Sequence, residues 1–138
     1  MKEGWFGNEY WSLYEGEKEE AEARAAYGLD DFLPGHRLVG LRNWDDFVVR
    51  DEAGQCFKIP TVPLKPAQME EFAFAVDANA LERDEGLEGK IKWHVTPVFF
   101  GGDGEARENL ALVTPEQHAE LVRWWAAFYR AEFGGEAE

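Results

Sequence analysis

Three histidines, His36, His94 and His118, are the side chains best suited to proton transfer or metal binding, and they fall in separate segments. No His-x-x-x-His spacing sets two imidazoles on one helical face, so a zinc pair of that kind has no framework. In Glu116-Gln117-His118 the outer residues stand at i and i+2, which point in different directions from a helix. His118 is therefore expected at the solvent or as a capping group. Asp45-Asp46 is the best candidate for paired carboxylates, and His94 would complete a polar centre with them. General acid–base work needs such groups within reach of one substrate, whereas neighbours at a strand entry usually point apart. The single cysteine, Cys56, excludes an intramolecular disulfide, and within Cys56-Phe57-Lys58-Ile59 it reads as a buried inert thiol. Asp103-Gly104-Glu105 lacks the spaced oxygens of an EF-hand loop and reads as a loop tip. Neither a Gly-x-Ser-x-Gly elbow nor a Gly-x-x-x-x-Gly-Lys phosphate loop occurs. The expectation is no catalytic constellation, no metal and no cofactor.

The elements that would position any site follow from composition and period. Glu9-Tyr10-Trp11-Ser12-Leu13-Tyr14 is dense in strand-favouring aromatics. The run from Glu17 to Ala26 consists of strong helix formers, with Gly28 as a stop. Leu33-Pro34-Gly35-His36 turns into a strand over Arg37 to Leu41. Asp46-Phe47-Val48-Val49-Arg50 and Gln55-Cys56-Phe57-Lys58-Ile59 flank a polar loop closed by Gly54, which is a hairpin pattern. Met69, Phe72, Ala73 and Val76 recur at i, i+3, i+4 and i+7, predicting a second helix over Ala67 to Asp77. Ile91 to Val95 alternates as a half-buried strand. The last helix has Thr114 as N-cap, Pro115 at its first position and Gln117 closing a capping box. Its expected stripe is Leu121, Val122, Trp125, Phe128 and Tyr129, with Trp124 at the border. Gly134-Gly135 should end it, leaving residues 134–138 as a loose tail. The pattern is a single α+β domain over 1–138, a mainly antiparallel sheet with a long C-terminal helix packed on it.

Charge narrows the partners. The 138 residues carry a formal net charge of −14 and are 14% aromatic. The aromatics supply surface to bury, so the chain folds in spite of its acidity. A field of this sign repels nucleic acid and anionic lipid and attracts basic proteins. No apolar run approaches the roughly 20 residues needed to span a bilayer, and Met1-Lys2-Glu3-Gly4-Trp5 lacks a signal-peptide core. A cytoplasmic setting is expected. The carboxylates concentrate at Glu15, Glu17, Glu19, Glu20 and Glu22, against Lys18, and again at Asp77, Glu82, Asp84, Glu85 and Glu88. Interface hot spots need an apolar anchor, and Trp5 and Trp11 lie near the first patch. Trp5, Trp11, Glu15, Glu17, Glu19 and Glu20 are accordingly the predicted partner-binding residues.

Several strings together resemble the SUKH superfamily. They are Tyr27-Gly28-Leu29 with Leu33-Pro34-Gly35, Val39-Gly40-Leu41, Trp44-Asp45-Asp46-Phe47, and Ile59-Pro60-Thr61-Val62-Pro63. The later Pro97-Val98-Phe99-Phe100-Gly101-Gly102-Asp103, Asn109, Glu116-Gln117-His118, Trp124-Trp125 and Tyr129 are similar to elements of small immunity-type proteins. The resemblance spans roughly residues 27 to 130 and departs at the N-terminus, where the usual helical opening is missing. It implies a small α+β protein encoded beside a bacterial polymorphic toxin and acting as its immunity protein. It carries over no contact residues.

The leading expectation is a non-enzymatic acidic protein that neutralises a basic toxin such as a nuclease, with carboxylates steering association. Two alternatives come from other classes. One is a structural or scaffold subunit of a phage or secretion assembly, marked by a self-complementary apolar patch. The other is a small enzyme centred on Asp45, Asp46 and His94, which requires the three to share one cleft.

Overall fold

Aromatic and β-branched residues set the framework. In the computed structural model, which describes residues 1–133, β1 (Lys2–Phe6) and β2 (Glu9–Leu13) pair as a hairpin. Then come α1 (Gly16–Tyr27), β3 (Arg37–Arg42), β4 (Asp46–Arg50), β5 (Cys56–Pro60) and a two-residue β6 (Glu70–Glu71). These strands form an antiparallel meander in the order β1-β2-β3-β4-β5-β6. A separate antiparallel hairpin joins β7 (Ile91–His94) to β8 (Leu110–Val113), and α2 (Pro115–Phe133) closes the described chain. The expected α+β architecture with its long final helix is what forms. The proposed tail at 134–138 lies outside the described residues.

Strand alternation assigns each side chain to a face. Along β4, Phe47 and Val49 enter one core and Val48 another, all fully buried. The first core lies beneath both helices and gathers Leu29, Leu33, Leu41, Ile59, Ile91, Trp93, Val122 and Ala126. Local stops fall where glycine permits them: Gly28 ends α1 at φ 64° and Gly54 closes the β4–β5 hairpin at φ 88°. The capping box of α2 is present, with the Gln117 amide donating to Thr114 Oγ1 (3.1 Å) and the Thr114 amide to Gln117 Oε1 (2.9 Å).

The second core corrects one expectation. Residues 67–77 are not helical: a short 3-10 turn at Pro66–Gln68 is followed by β6 and an extended strap. Two periods compete in this segment. The alternation Phe72, Phe74, Val76, Ala78 puts these side chains half-buried on Trp11 and Val48, while Ala73, Ala75 and Asp77 face solvent. The period of two wins because the outer face of the sheet needs a cover, and Phe72 and Phe74 sit 6.0 and 5.6 Å from the Trp11 ring. The N-terminal strand β1, absent from the sequence expectation, is held at the sheet edge by β2 and by a reciprocal backbone bridge between Trp5 and Glu82 (2.8 Å each way).

Candidate functional site

The predicted patch divides. Glu15, just before α1, and Glu17 in its first turn are exposed, and Glu19 is half-buried against the Met1 amine at 2.7 Å. Glu20 and Trp11 are not surface groups, which corrects their assignment to a partner. Trp11 is fully buried beneath the strap. Glu20 accepts from Arg24 Nε and from the Leu38 backbone amide, each at 2.8 Å, and so fastens α1 to the edge of β3. Trp5 is half-buried, edge-on to Tyr10, and donates from Nε1 to Asp84 Oδ2 (3.2 Å), so it belongs with the second acidic segment.

A different site is assembled at the β3–β4 turn. Asn43 and Trp44 both lie in the left-handed region, at φ 49° and 63°, which is costly for a bulky residue. Packing holds them there. Trp44 stacks on Tyr10 (4.8 Å, 15°) beneath the Lys92 ammonium (4.6 Å), and Asn43 exchanges hydrogen bonds with the Tyr10 backbone. The turn presents Asp45, whose carbonyl accepts from the Thr61 amide (2.8 Å), at the mouth of a cleft of about 410 Å³. Asp46, Gln68, Trp93, His94 and Phe99 also line it. Asp45, Asp46 and His94 therefore share one cleft, which meets the geometric condition set by the catalytic alternative. Asp46 pairs with Arg42 (3.3 Å), while Asp45 faces His94 Nδ1 at 3.9 Å. Partial burial raises the Asp45 carboxyl above its usual range, against the pull of His94 and with a smaller push from Asp46. The side chain is still 66% exposed, so solvent limits the effect.

The rim of the cleft leads onto an aromatic surface. Phe99, 47% exposed, packs on Phe100 (5.1 Å), which stacks on Trp125 (4.7 Å). Trp125 abuts Trp124 (4.9 Å), and Trp124 lies flat on Phe128 (5.5 Å, 7°) with 58% of its surface open. Asn109 shapes the loop that carries Phe99: it accepts from the Thr96 amide (2.7 Å) and donates to the carbonyls of Thr96 and Asp103. Beside Trp124 a shallow groove is lined by Val113, Gln117, Glu120 and Leu121.

The last helix faces inward differently from the sequence expectation. Its buried residues are His118, Ala119, Val122, Ala126 and Tyr129, so Trp125 and Phe128 are only half-buried. Small side chains let α2 approach α1 closely and leave the large rings on its flank. His118, expected at solvent or a cap, is fully buried between Tyr27 and Trp93. Its Nδ1 shares a 2.6 Å hydrogen bond with the Tyr27 hydroxyl, and Nε2 is buried without a partner among the described residues. Among the described residues no three His, Cys, Asp or Glu side chains converge to hold a metal ion. No helix there is long and apolar enough to cross a membrane.

No family model, curated protein or solved structure matches the chain.

Sequence reasoning passed over Phe99, Phe100, Trp124 and Phe128 as a surface. The signal was present in the width of the stripe. At about 100° per residue, positions 121 to 129 spread large apolar groups over roughly 160° of the helix, wider than one buried face of about 100°.

Proposed function

We propose that the chain is a non-enzymatic acidic binding protein that docks on a basic protein, in the manner of an immunity protein neutralising a toxin such as a nuclease. The observation that carries this reading is the continuous aromatic surface from Phe99 to Trp124 on a chain of net charge −14. Exposed contiguous rings of this kind mark interfaces, and Trp at the centre of a patch is the commonest hot spot. Open aromatic faces also attract the Lys and Arg side chains of a basic partner. Glu116, Glu120 and Glu132 stand exposed on the same helix against the exposed Arg123, while Arg130 is occupied by the Phe32 ring (3.9 Å) and the Asp31 carbonyl (3.2 Å). The partner surface thus moves from Glu15–Glu22 to α2 and the Phe99 turn. The SUKH-like strings support the immunity role by resemblance.

The catalytic alternative has its three residues in one cleft, but His94 Nε2 faces the Gly104 carbonyl (3.3 Å), leaving only Nδ1 toward Asp45. A scaffold subunit would use the same rings to contact a second copy, against the mutual repulsion of two strongly acidic chains. Binding kinetics against the protein encoded beside its gene test the proposal. Association should slow severalfold between roughly 0.05 and 0.5 M salt, and Trp124→Ala should weaken the complex roughly 30-fold. An on-rate indifferent to salt, an unaffected Trp124→Ala variant, or a stable homodimer in sedimentation at micromolar concentration overturns it.

A further inference from the structure

The cleft beside Asp45 is lined by two carboxylates and by no Lys or Arg. Asp45 has no Lys or Arg within 4.0 Å among the described residues, and the ring of His94 stands 3.9 Å away. His94 Nε2–H donates to the Gly104 carbonyl (3.3 Å), and Nδ1 is the ring nitrogen on the Asp45 side. Gln68, on the same cleft, holds a buried side-chain oxygen with no protein partner. Thr61 and the Arg42-paired Asp46 also line it, and the other walls are apolar or aromatic: Pro60, Val62, Trp93, Pro97, Val98 and Phe99.

This combination defines its occupant. A group that carries only donors at its tip, a full positive charge and an apolar stem satisfies every feature, and the guanidinium of arginine is that group. Its planar fork can bond the Asp45 carboxylate at both oxygens, while its methylenes lie along Pro97 and Phe99. An ammonium fits less well because it offers a compact, strongly hydrated charge. The cleft is also continuous with the aromatic surface through Phe99, so one basic partner could reach both.

We infer that the Asp45–His94 cleft is an arginine pocket that receives a side chain of the basic partner; this rests on the docking reading above. Asp45 supplies the charge, Gln68 a further acceptor and Phe99 the wall. The Asn43–Trp44 turn holds Asp45 at the mouth.

The pocket can be tested without the partner, by amide chemical-shift titration of the full chain with N-acetyl-arginine-N-methylamide. Such a small probe should saturate shifts at Asp45, Asp46, His94 and Phe99 with a dissociation constant of about 1 mM. The lysine analogue should bind several-fold more weakly, and the neutral citrulline analogue should leave these amides unmoved. Asp45→Asn, a substitution at an exposed and nearly isosteric position, should weaken the arginine probe about tenfold. Equal binding of citrulline or lysine analogues, shifts confined to Glu15–Glu22, or an unaffected Asp45→Asn variant overturns the assignment. Trp124→Ala separates the two proposals, since it should weaken the protein partner yet leave the arginine probe unchanged. Loss of probe binding with a Trp124-dependent complex intact removes the pocket alone. Probe binding in the cleft with no salt-dependent protein complex removes the docking reading.

Discussion

Glu20→Lys should cost about 4 kcal/mol of unfolding free energy, most of what a small domain has to lose. The Glu20 side chain is only 10% exposed, and its carboxylate is divided between Arg24 and the Leu38 backbone amide. Lysine removes the acceptor from both and brings a second cation against Arg24, which among the described residues is held elsewhere by Asp30 (3.0 Å). The Leu38 N–H, on the stretch of β3 that β2 leaves unpaired under α1, is left buried without a partner, itself a penalty of about 1–3 kcal/mol. Glu20→Gln keeps an oxygen for Leu38 and should lose well under half as much. Glu17→Lys is the surface control, since its side chain is 89% exposed and lies 3.9 Å from Arg37. Guanidinium unfolding of the three variants decides the matter. Equal midpoints for Glu20→Lys and Glu17→Lys would show that the tie between α1 and β3 carries no stability.

That contrast also explains why a charge run could not be read residue by residue from the sequence. Glu17 and Glu20 are chemically alike and lie one helical turn apart, yet one is solvated and the other is a buried fastener. What separates them is the position of β3, which is fixed by pairing with β2 and β4 far away in sequence. Elements whose signals are local were legible: the Thr114–Gln117 box, the Gly54 hairpin, and the helix ended by Gly28 each depend on residues within a few positions. The strap at 70–81 was not, because Phe72 and Val76 satisfy a helical and an extended period at once. Only the need of Trp11 for a cover chooses between them.

The candidate site shows the same division. Asp45, Asp46 and His94 could be named as the best polar centre from residue type, but their convergence depends on β7 being carried to the β3–β4 turn. The left-handed Trp44 that aims Asp45 has no sequence signature, since asparagine and glycine, not tryptophan, mark such positions. Trp5 misled for a related reason. Proximity in sequence suggested the Glu15–Glu22 patch, whereas the Trp5–Glu82 bridge places the ring beside Asp84.

His118 yields the second large effect, a loss of about 3 kcal/mol of stability between pH 7 and pH 4 that belongs to this residue alone. Burial pushes its pKa from 6.5 down to about 4, because an imidazolium between Tyr27 and Trp93 would lose its hydration. The unfolded chain therefore takes up a proton at a higher pH than the folded one. Stability from this group is present above about pH 6.5, drains away as pH falls, and is exhausted near pH 4. The buried Nε2, lacking a partner among the described residues, offers a proton nothing to bond to on that side, so no compensating contact softens the loss. Urea unfolding from pH 7 to pH 4 should show the decline in the natural chain. A His118→Gln variant, with a neutral side chain able to keep the Tyr27 hydroxyl satisfied, should be less stable at pH 7 yet have a flatter profile. The carboxylates are common to both chains, so their titration cancels in the difference curve. Parallel profiles would mean that His118 is protonated in the folded state with little penalty, and that the core beneath α2 admits water.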